Sequence, residues 1–341
     1  MISQQYKLVK PFVIESFSRD VRIDDAQSLI VRPRKLSICK ADIRYYFGLR
    51  DPEVLEKRLP MTLIHEACGE VLYDPTGQYK KGDTVVLLPN IPGEDIFYDE
   101  NYRLDSLFRS SRANGFLQEL LQIPRTQVVP YKKCKENEDV FAFTEFISVG
   151  VHAVDSFLKA SHSRRSKIAV WGSGAMSYVV CCVLKNRLPD SHITVIGRNP
   201  NKLQYFNFLD DVKNINQIEL KPQYDHVFEC VGGAGSAKAI DQMIDTVLPQ
   251  GVMMLLGVSE EPVAVNTRMV LEKGLTMLGR SRSKKQDFEE AVRLIEEDEA
   301  FAARMNQIIS EKIDVSSVND ISSAFNLAKN VDFKVVVNWN I

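Results

Sequence analysis

The sequence predicts an α/β protein of two domains, a barrel-like unit of short strands and a doubly wound parallel sheet. Three observations carry this. The chain has 341 residues, about twice a common domain length. Up to about residue 145 it is written in short apolar runs cut by turn residues, the pattern of β structure. Beyond 145, apolar strands alternate with amphipathic segments, the pattern of βαβ units around a parallel sheet.

Taken in order, "SLIVRPRKLSIC", "LIHEACGEVLY", "GDTVVLLP" and "TQVVPY" are the strands of the first unit. Residues 73–88 predict two strands joined through Gly77 and Gly82. "FTEFISVGVHAVDSFLKA" carries apolar residues at helical spacing. Strands and helices then alternate through "KIAVWGSGAMSYVVCCVL", "HITVIGRNPNKLQYF", "YDHVFECVGG", "AIDQMIDTVL" and "GVMMLLGVS". The tail predicts helices in "DFEEAVRLIEEDEAFAARM" and "DISSAFNLAK" and a last strand in "FKVVVNWNI".

A hydrophobic share of 45% with 26% charged residues is that of a soluble globular chain. The formal charge of −2 offers no general attraction to nucleic acid or to an anionic membrane, and no basic face with interleaved aromatics supports nucleic-acid binding. The start, "MISQQYKLVKPFV", lacks the plan of a signal peptide, and no run approaches the ~20 apolar residues of a spanning helix. A cytoplasmic location is the expectation. The six cysteines, Cys39, Cys68, Cys134, Cys181, Cys182 and Cys230, form no CxxC pair, so no disulfide framework is predicted.

Gly172 and Gly174 stand between a strand and a helix, where a tight turn lets backbone N–H groups approach a pyrophosphate. Ser177 occupies the third position of G-x-G-x-x-G. NAD-selective sites carry an acid ~20 residues beyond the glycines. Here the next strand ends in Gly197-Arg198-Asn199. Gly197 leaves room, and Arg198 with Lys202 supplies cations for a 2′-phosphate, which predicts NADP.

In "LPMTLIHEACGEV", His65 and Glu66 are adjacent, although neighbouring side chains of a regular strand point to opposite faces. Cys39 ends an apolar run, and Thr144-Glu145 opens a helix. Thiolate, imidazole and carboxylate are zinc-ligand types, and a twist at 65–66 would turn both side chains to one ion. From spacing alone, core packing of Cys39 and His65 is an open alternative.

Cys39-x-x-Asp42, His65-Glu66 and the loop 172–177 resemble, in order and spacing, the zinc-dependent medium-chain alcohol and polyol dehydrogenases. "TEFISVGVHAVDSF" resembles the segment where the sorbitol dehydrogenase branch keeps a glutamate. Over its whole length the chain is similar to the ribulose-5-phosphate reductases of teichoic acid and capsule precursor synthesis. The stretches that carry this are "SICKADIRYYFGLRD", "LPMTLIHEACGEV", "FRSS", "FECVGGAGS", "AIDQMID" and "LLGVSEEPVAVNTRMVLEKGLTMLGRSRS". The resemblance implies a GroES-like β-barrel catalytic domain, residues 1–145 and 285–341, with a Rossmann NADP-binding domain, 146–284, inserted.

It further implies a catalytic set of Cys39, Asp42, His65, Glu66 and Glu145. One Zn2+ would sit among Cys39, His65 and Glu66, with Glu145 as fourth ligand or partner of the metal-bound water. Two departures stand out. Ala41 replaces the hydroxyl residue that passes the substrate proton in many relatives, and no cysteine lies between Cys68 and Cys134, so the four-cysteine structural zinc lobe is missing.

The implied reaction is NADPH-dependent reduction of D-ribulose 5-phosphate to D-ribitol 5-phosphate. Arg44, Arg50, Arg109 and Arg112 are the candidate phosphate cations; sorbitol-type enzymes carry His at the position of Arg44. The family further implies a homodimer or homotetramer, and a ribitol-5-phosphate cytidylyltransferase as functional partner. The competing readings are a zinc polyol dehydrogenase on a free sugar alcohol and a non-catalytic dinucleotide-binding sensor or scaffold. The second needs no open metal site.

Overall fold

The structure is a computed structural model that describes residues 1–132 and 136–341. It parts into two compact units, Met1–Ser148 with Arg282–Ile341, and Val149–Ser281. The sequence placed the joints at 145/146 and 284/285. The first joint falls inside a continuous helix, which no local sequence signal marks.

The first unit opens with strands β1 (Ile2–Lys10), β2 (Val13–Asp20) and β3 (Ser28–Ile38). Helices α1 (Lys40–Tyr46) and α2 (Pro52–Arg58) follow, then β4 (Met61–Thr62), β5 (Glu66–Tyr73) and β6 (Thr84–Leu87). Short strands β7 (Asn90–Ile91), β8 (Leu107–Phe108), β9 (Leu121–Pro124) and β10 (Val128–Pro130) complete this part. The sequence does not signal the β1–β2 hairpin, because "ISQQYKLVK" lacks clean apolar alternation and buries polar Ser3 and Gln5 as well as Tyr6 and Leu8.

Helix α3 (Thr144–Ala160) leads into the second unit. There β11 (Lys167–Trp171), α4 (Ala175–Arg187), β12 (His192–Gly197), α5 (Pro200–Leu203) and β13 (Asp211–Asn214) make one half. The other half is β14 (His226–Glu229), α6 (Ser236–Thr246), β15 (Val252–Leu255), α7 (Thr267–Glu272) and β16 (Thr276–Gly279). The strands form one sheet in the order β13-β12-β11-β14-β15-β16, every pair parallel. The order reverses between β11 and β14, and ligands of such sheets bind at the carboxyl ends of the strands at that switch point.

The chain then returns to the first unit through α8 (Lys285–Glu297), α9 (Glu299–Gln307), β17 (Ile309–Val315), α10 (Val318–Asn330) and β18 (Lys334–Trp339). The large sheet runs β10-β6-β5-β3-β18-β17, with β9 also on β3, and a second sheet runs β2-β1-β4. The tail is therefore built into the barrel rather than laid on it. Tyr46 stacks on Phe325 at 4.5 Å, and Trp339 packs edge-on against Tyr6 at 5.5 Å while its indole N–H donates to the Gln118 carbonyl. Large buried rings of this kind dominate core energetics.

Val140–Ala160 is long and apolar enough to cross a bilayer, contrary to the sequence expectation, but its most apolar window is 83% buried in the fold. A core helix passes the same test of length and composition. Among the described residues Cys39, Cys68, Cys181, Cys182 and Cys230 are all free thiols; Cys134 lies outside the described residues.

Candidate active site

The His65-Glu66 problem is resolved by a corner in the backbone. Ile64 adopts φ +66°, a left-handed conformation unfavourable for a branched residue, and β5 begins only at Glu66. The turn is held from outside: the Ile64 N–H donates to Asp42 Oδ1 at 3.0 Å, and its carbonyl accepts the Phe116 N–H at 2.7 Å. Released from the strand's alternation, His65 and Glu66 both join one cluster. Ligand atoms of His65, Glu66 and Glu145 lie within 4.8 Å of one another, and so do those of Cys39, Asp42 and His65.

His65 is the shared vertex of the two triads. Its Nδ1 lies 3.3 Å from Asp42 Oδ2 and its Nε2 lies 4.0 Å from Glu145 Oε2. Asp42 is fully buried. Its Oδ1 also accepts from the Ser110 hydroxyl at 2.5 Å, and its Oδ2 from the Cys39 N–H at 3.3 Å. Both oxygens are thus committed, so Asp42 orients His65 rather than offering a free ligand atom. Burial opposes its ionisation, but His65, Ser110 and the Ile64 N–H outweigh that and hold its pKa low. Cys39 reaches the cluster as the N-cap of α1, whose first turn contains Asp42.

Glu145 comes from the first turn of α3 and is buried. Burial pushes its pKa up to about 7; His65 opposes this and Glu66 adds to it. Glu66 is fully buried and touches the Lys334 ammonium through both oxygens, at 2.7 and 2.6 Å. Burial disfavours the charge on Lys334, yet Glu66 holds its pKa above the ordinary value. Sequence reasoning missed Lys334, which arrives from β18, 268 positions away in the chain. It also missed Phe108, whose ring lies 5.5 Å from that of His65, and Ser110. In the sequence, "FRSS" stands only as a point of family likeness.

The donor set suits zinc: one sulfur, one imidazole nitrogen whose tautomer a carboxylate fixes, and two carboxylates. The four ligand atoms do not all fall within one 4.8 Å group; His65 joins them.

Of the proposed phosphate cations, Arg44 lies in the last turn of α1 and Arg50 stacks over Tyr45 at 5.0 Å. Arg109 is buried between Phe108 and Ser110, which face the cluster, while its own guanidinium bonds the Asn114 carbonyl and Gln127 and covers Phe116. Burial lowers its pKa to about 10. Arg112 is exposed.

In the second unit the glycines form a cradle. Gly172 has φ +119°, and a Cβ there would come within 2.6 Å of the Ser177 hydroxyl and 2.8 Å of the Cys230 carbonyl. Gly174, the N-cap of α4, has open space at its Cβ position, and Ser177 is buried. This fits close approach of a pyrophosphate to the backbone. Gly197 does more than leave room: a Cβ would lie 2.7 Å from Ser173, so its absence lets the cradle sit down on β12. Arg198 is exposed at the end of β12 and Lys202 follows in α5, capped by Asn199.

One further group was not read from the sequence. Glu229, buried at the end of β14, accepts the N–H groups of Val231 and Gly232 on Oε1, at 2.9 and 2.8 Å, and that of Gly257 on Oε2 at 2.8 Å. It ties the loop after β14 to the loop after β15 beside the switch point.

Residues 25–133 match the alcohol dehydrogenase GroES-like domain, and residues 138–339 match the glucose dehydrogenase C-terminus. The chain is 41% identical to a ribulose-5-phosphate reductase of Streptococcus pneumoniae, over 100% of this chain and 98% of that one. It is 42% identical to ribulose-5-phosphate reductase 1 of Staphylococcus aureus, over 99% of both. The solved structure of S. aureus TarJ in complex with NADPH superposes with a TM-score of 0.89 at 38% identity, covering both chains fully. The chain belongs to the ribulose-5-phosphate reductase family of the medium-chain dehydrogenase superfamily.

Proposed function

We propose that this protein reduces D-ribulose 5-phosphate to D-ribitol 5-phosphate with NADPH and one zinc ion. The observation that carries the reading is the convergence of Cys39, His65, Glu66 and Glu145, in a chain about 40% identical end to end to reductases of that name. When bound, zinc supplies Lewis acidity at the ketone carbonyl and NADPH supplies the hydride. The chain's own residues prepare the site. Asp42 keeps a proton on His65 Nδ1, leaving the Nε2 lone pair for the metal. Lys334 pairs with both oxygens of the Glu66 carboxylate and holds it in place.

Glu145 Oε2, 4.0 Å from His65 Nε2, is the group placed to exchange the proton that ketone reduction consumes. It takes the part that Ala41, lacking a hydroxyl, leaves open. The glycine cradle binds the dinucleotide backbone, and Arg198 with Lys202 meets the 2′-phosphate. Arg44, Arg50 and Arg109 give the segments around the site positive charge for a phosphorylated substrate. We read the enzyme as cytoplasmic and homo-oligomeric, its product passing to a cytidylyltransferase and on to a ribitol-containing wall or capsule polymer.

The test is NADPH oxidation with D-ribulose 5-phosphate and free D-ribulose, with and without a zinc chelator. Preference for the phosphorylated ketose and loss of activity on chelation are expected. Equal turnover of free D-ribulose would favour an unphosphorylated polyol as substrate, and activity untouched by chelation would remove zinc from the account.

A further inference from the structure

Arg282 stands apart from every arginine considered above. It lies at the start of the segment that returns to the first unit, and it is half-buried. Its guanidinium carbon sits 5.8 Å from the centroid of the Phe108 ring, and that ring lies 5.5 Å from the imidazole of His65. One aromatic ring is therefore a neighbour both of a cation and of the shared vertex of the candidate metal-ligand triads.

The backbone that carries Arg282 is fixed on both sides. Its carbonyl accepts the side-chain amide of buried Asn101 at 3.0 Å. The next residue, Ser283, pairs its hydroxyl with that of Ser148 at 2.8 Å, and Ser148 bonds the Glu145 carbonyl at 2.6 Å. Arg282 is thus positioned by the same helix that presents Glu145. The neighbouring Lys284 is neutralised by Asp99 at 2.6 Å. Among the described residues Arg282 has no carboxylate partner. A partly desolvated guanidinium without a counter-ion, pre-aligned over a ring, is a site that an anion completes.

We propose that Arg282 binds the phosphate of the substrate and sets the preference for a phosphorylated over a free ketose. This rests on the reading of the substrate given above. With the carbonyl at the metal ligands, the phosphate at the other end of the pentulose chain would reach toward Arg282, which shares the Phe108 ring with His65. The planar fork of Arg282 would take two phosphate oxygens, and Phe108 would line the carbon chain between.

The experiment compares kcat/KM for D-ribulose 5-phosphate and D-ribulose in the wild type, Arg282→Ala and Arg282→Met. The methionine keeps an apolar stem on Phe108 should the alanine variant fold poorly. Binding of D-ribitol 5-phosphate is followed by calorimetry alongside. Both variants should lower the ratio of the two kcat/KM values about 10- to 100-fold and weaken D-ribitol 5-phosphate binding to match. Arg282→Lys should recover part of it. An unchanged ratio in variants of a wild type that does discriminate overturns the role of Arg282 alone. A wild type with no preference for the phosphate overturns the substrate reading as well.

Discussion

His65 shows how single side chains define this site. Its two nitrogens have separate surroundings: Nδ1 lies 3.3 Å from Asp42, which orients the ring, and Nε2 is open toward Glu145, 4.0 Å away. Replacing Asp42 by Asn keeps the shape but puts a donor where an acceptor stood. We expect zinc affinity to fall about 10- to 100-fold, as loss of a carboxylate behind a metal-binding histidine does elsewhere. Competition between the protein and a chromogenic chelator measures it, and an unchanged affinity would show that Asp42 only fills space.

At the scale of elements, β14 carries two features that local patterning did not announce. Glu229 at its end gathers three backbone N–H groups from two loops. In Glu229→Gln the amide must oppose at least one of those donors, an unmet bond costing about 1–3 kcal/mol. NADPH should then bind about tenfold or more weakly, while 2′,5′-ADP, which engages only the adenosine half, changes little; fluorescence titration of each separates the two. Equal weakening of both would mean a general loosening of the unit.

His226, at the start of β14, accepts the Val252 N–H on Nδ1 and faces the Arg164 carbonyl with Nε2, 3.0 Å away. That arrangement requires the neutral ring protonated on Nε2. Burial, with His162 beside it, lowers its pKa to about 4 from the usual 6.5. Because the folded form resists the proton that the unfolded chain accepts, stability is full above about pH 6.5 and declines as pH falls toward about 4. Nitrogen NMR should find the Nε2-protonated neutral ring still present at pH 5. An imidazolium signal there would refute it.

For the molecule as a whole, the proposed metal ligands come from separated stretches, at 39 and at 65–66, the proton-exchanging Glu145 proposed beside them from a third, and the brace on Glu66 from 334. A bound ion therefore links segments that unfold apart, and saturation at 1,000 times its dissociation constant adds about 4 kcal/mol to stability. Stripping zinc should lower the thermal midpoint of the first unit without weakening NADPH binding. An unmoved midpoint in calorimetry would contradict that linkage.

The alternation of strands and helices, the glycine cradle and the residue types of the candidate metal site were all legible in the amino-acid order, because periodicity and short motifs are local properties. Whether His65 and Glu66 face the same way depended on the left-handed corner at Ile64, which Asp42 and Phe116 impose from other segments. The pairing of Lys334 with Glu66, the place of Phe108 and the three bonds on Glu229 exist only after strands far apart in the chain have met. Residue order alone determined which chemistry the chain can hold. Tertiary packing decided which groups share one small volume, since burial and proximity belong to the fold and not to any stretch of it.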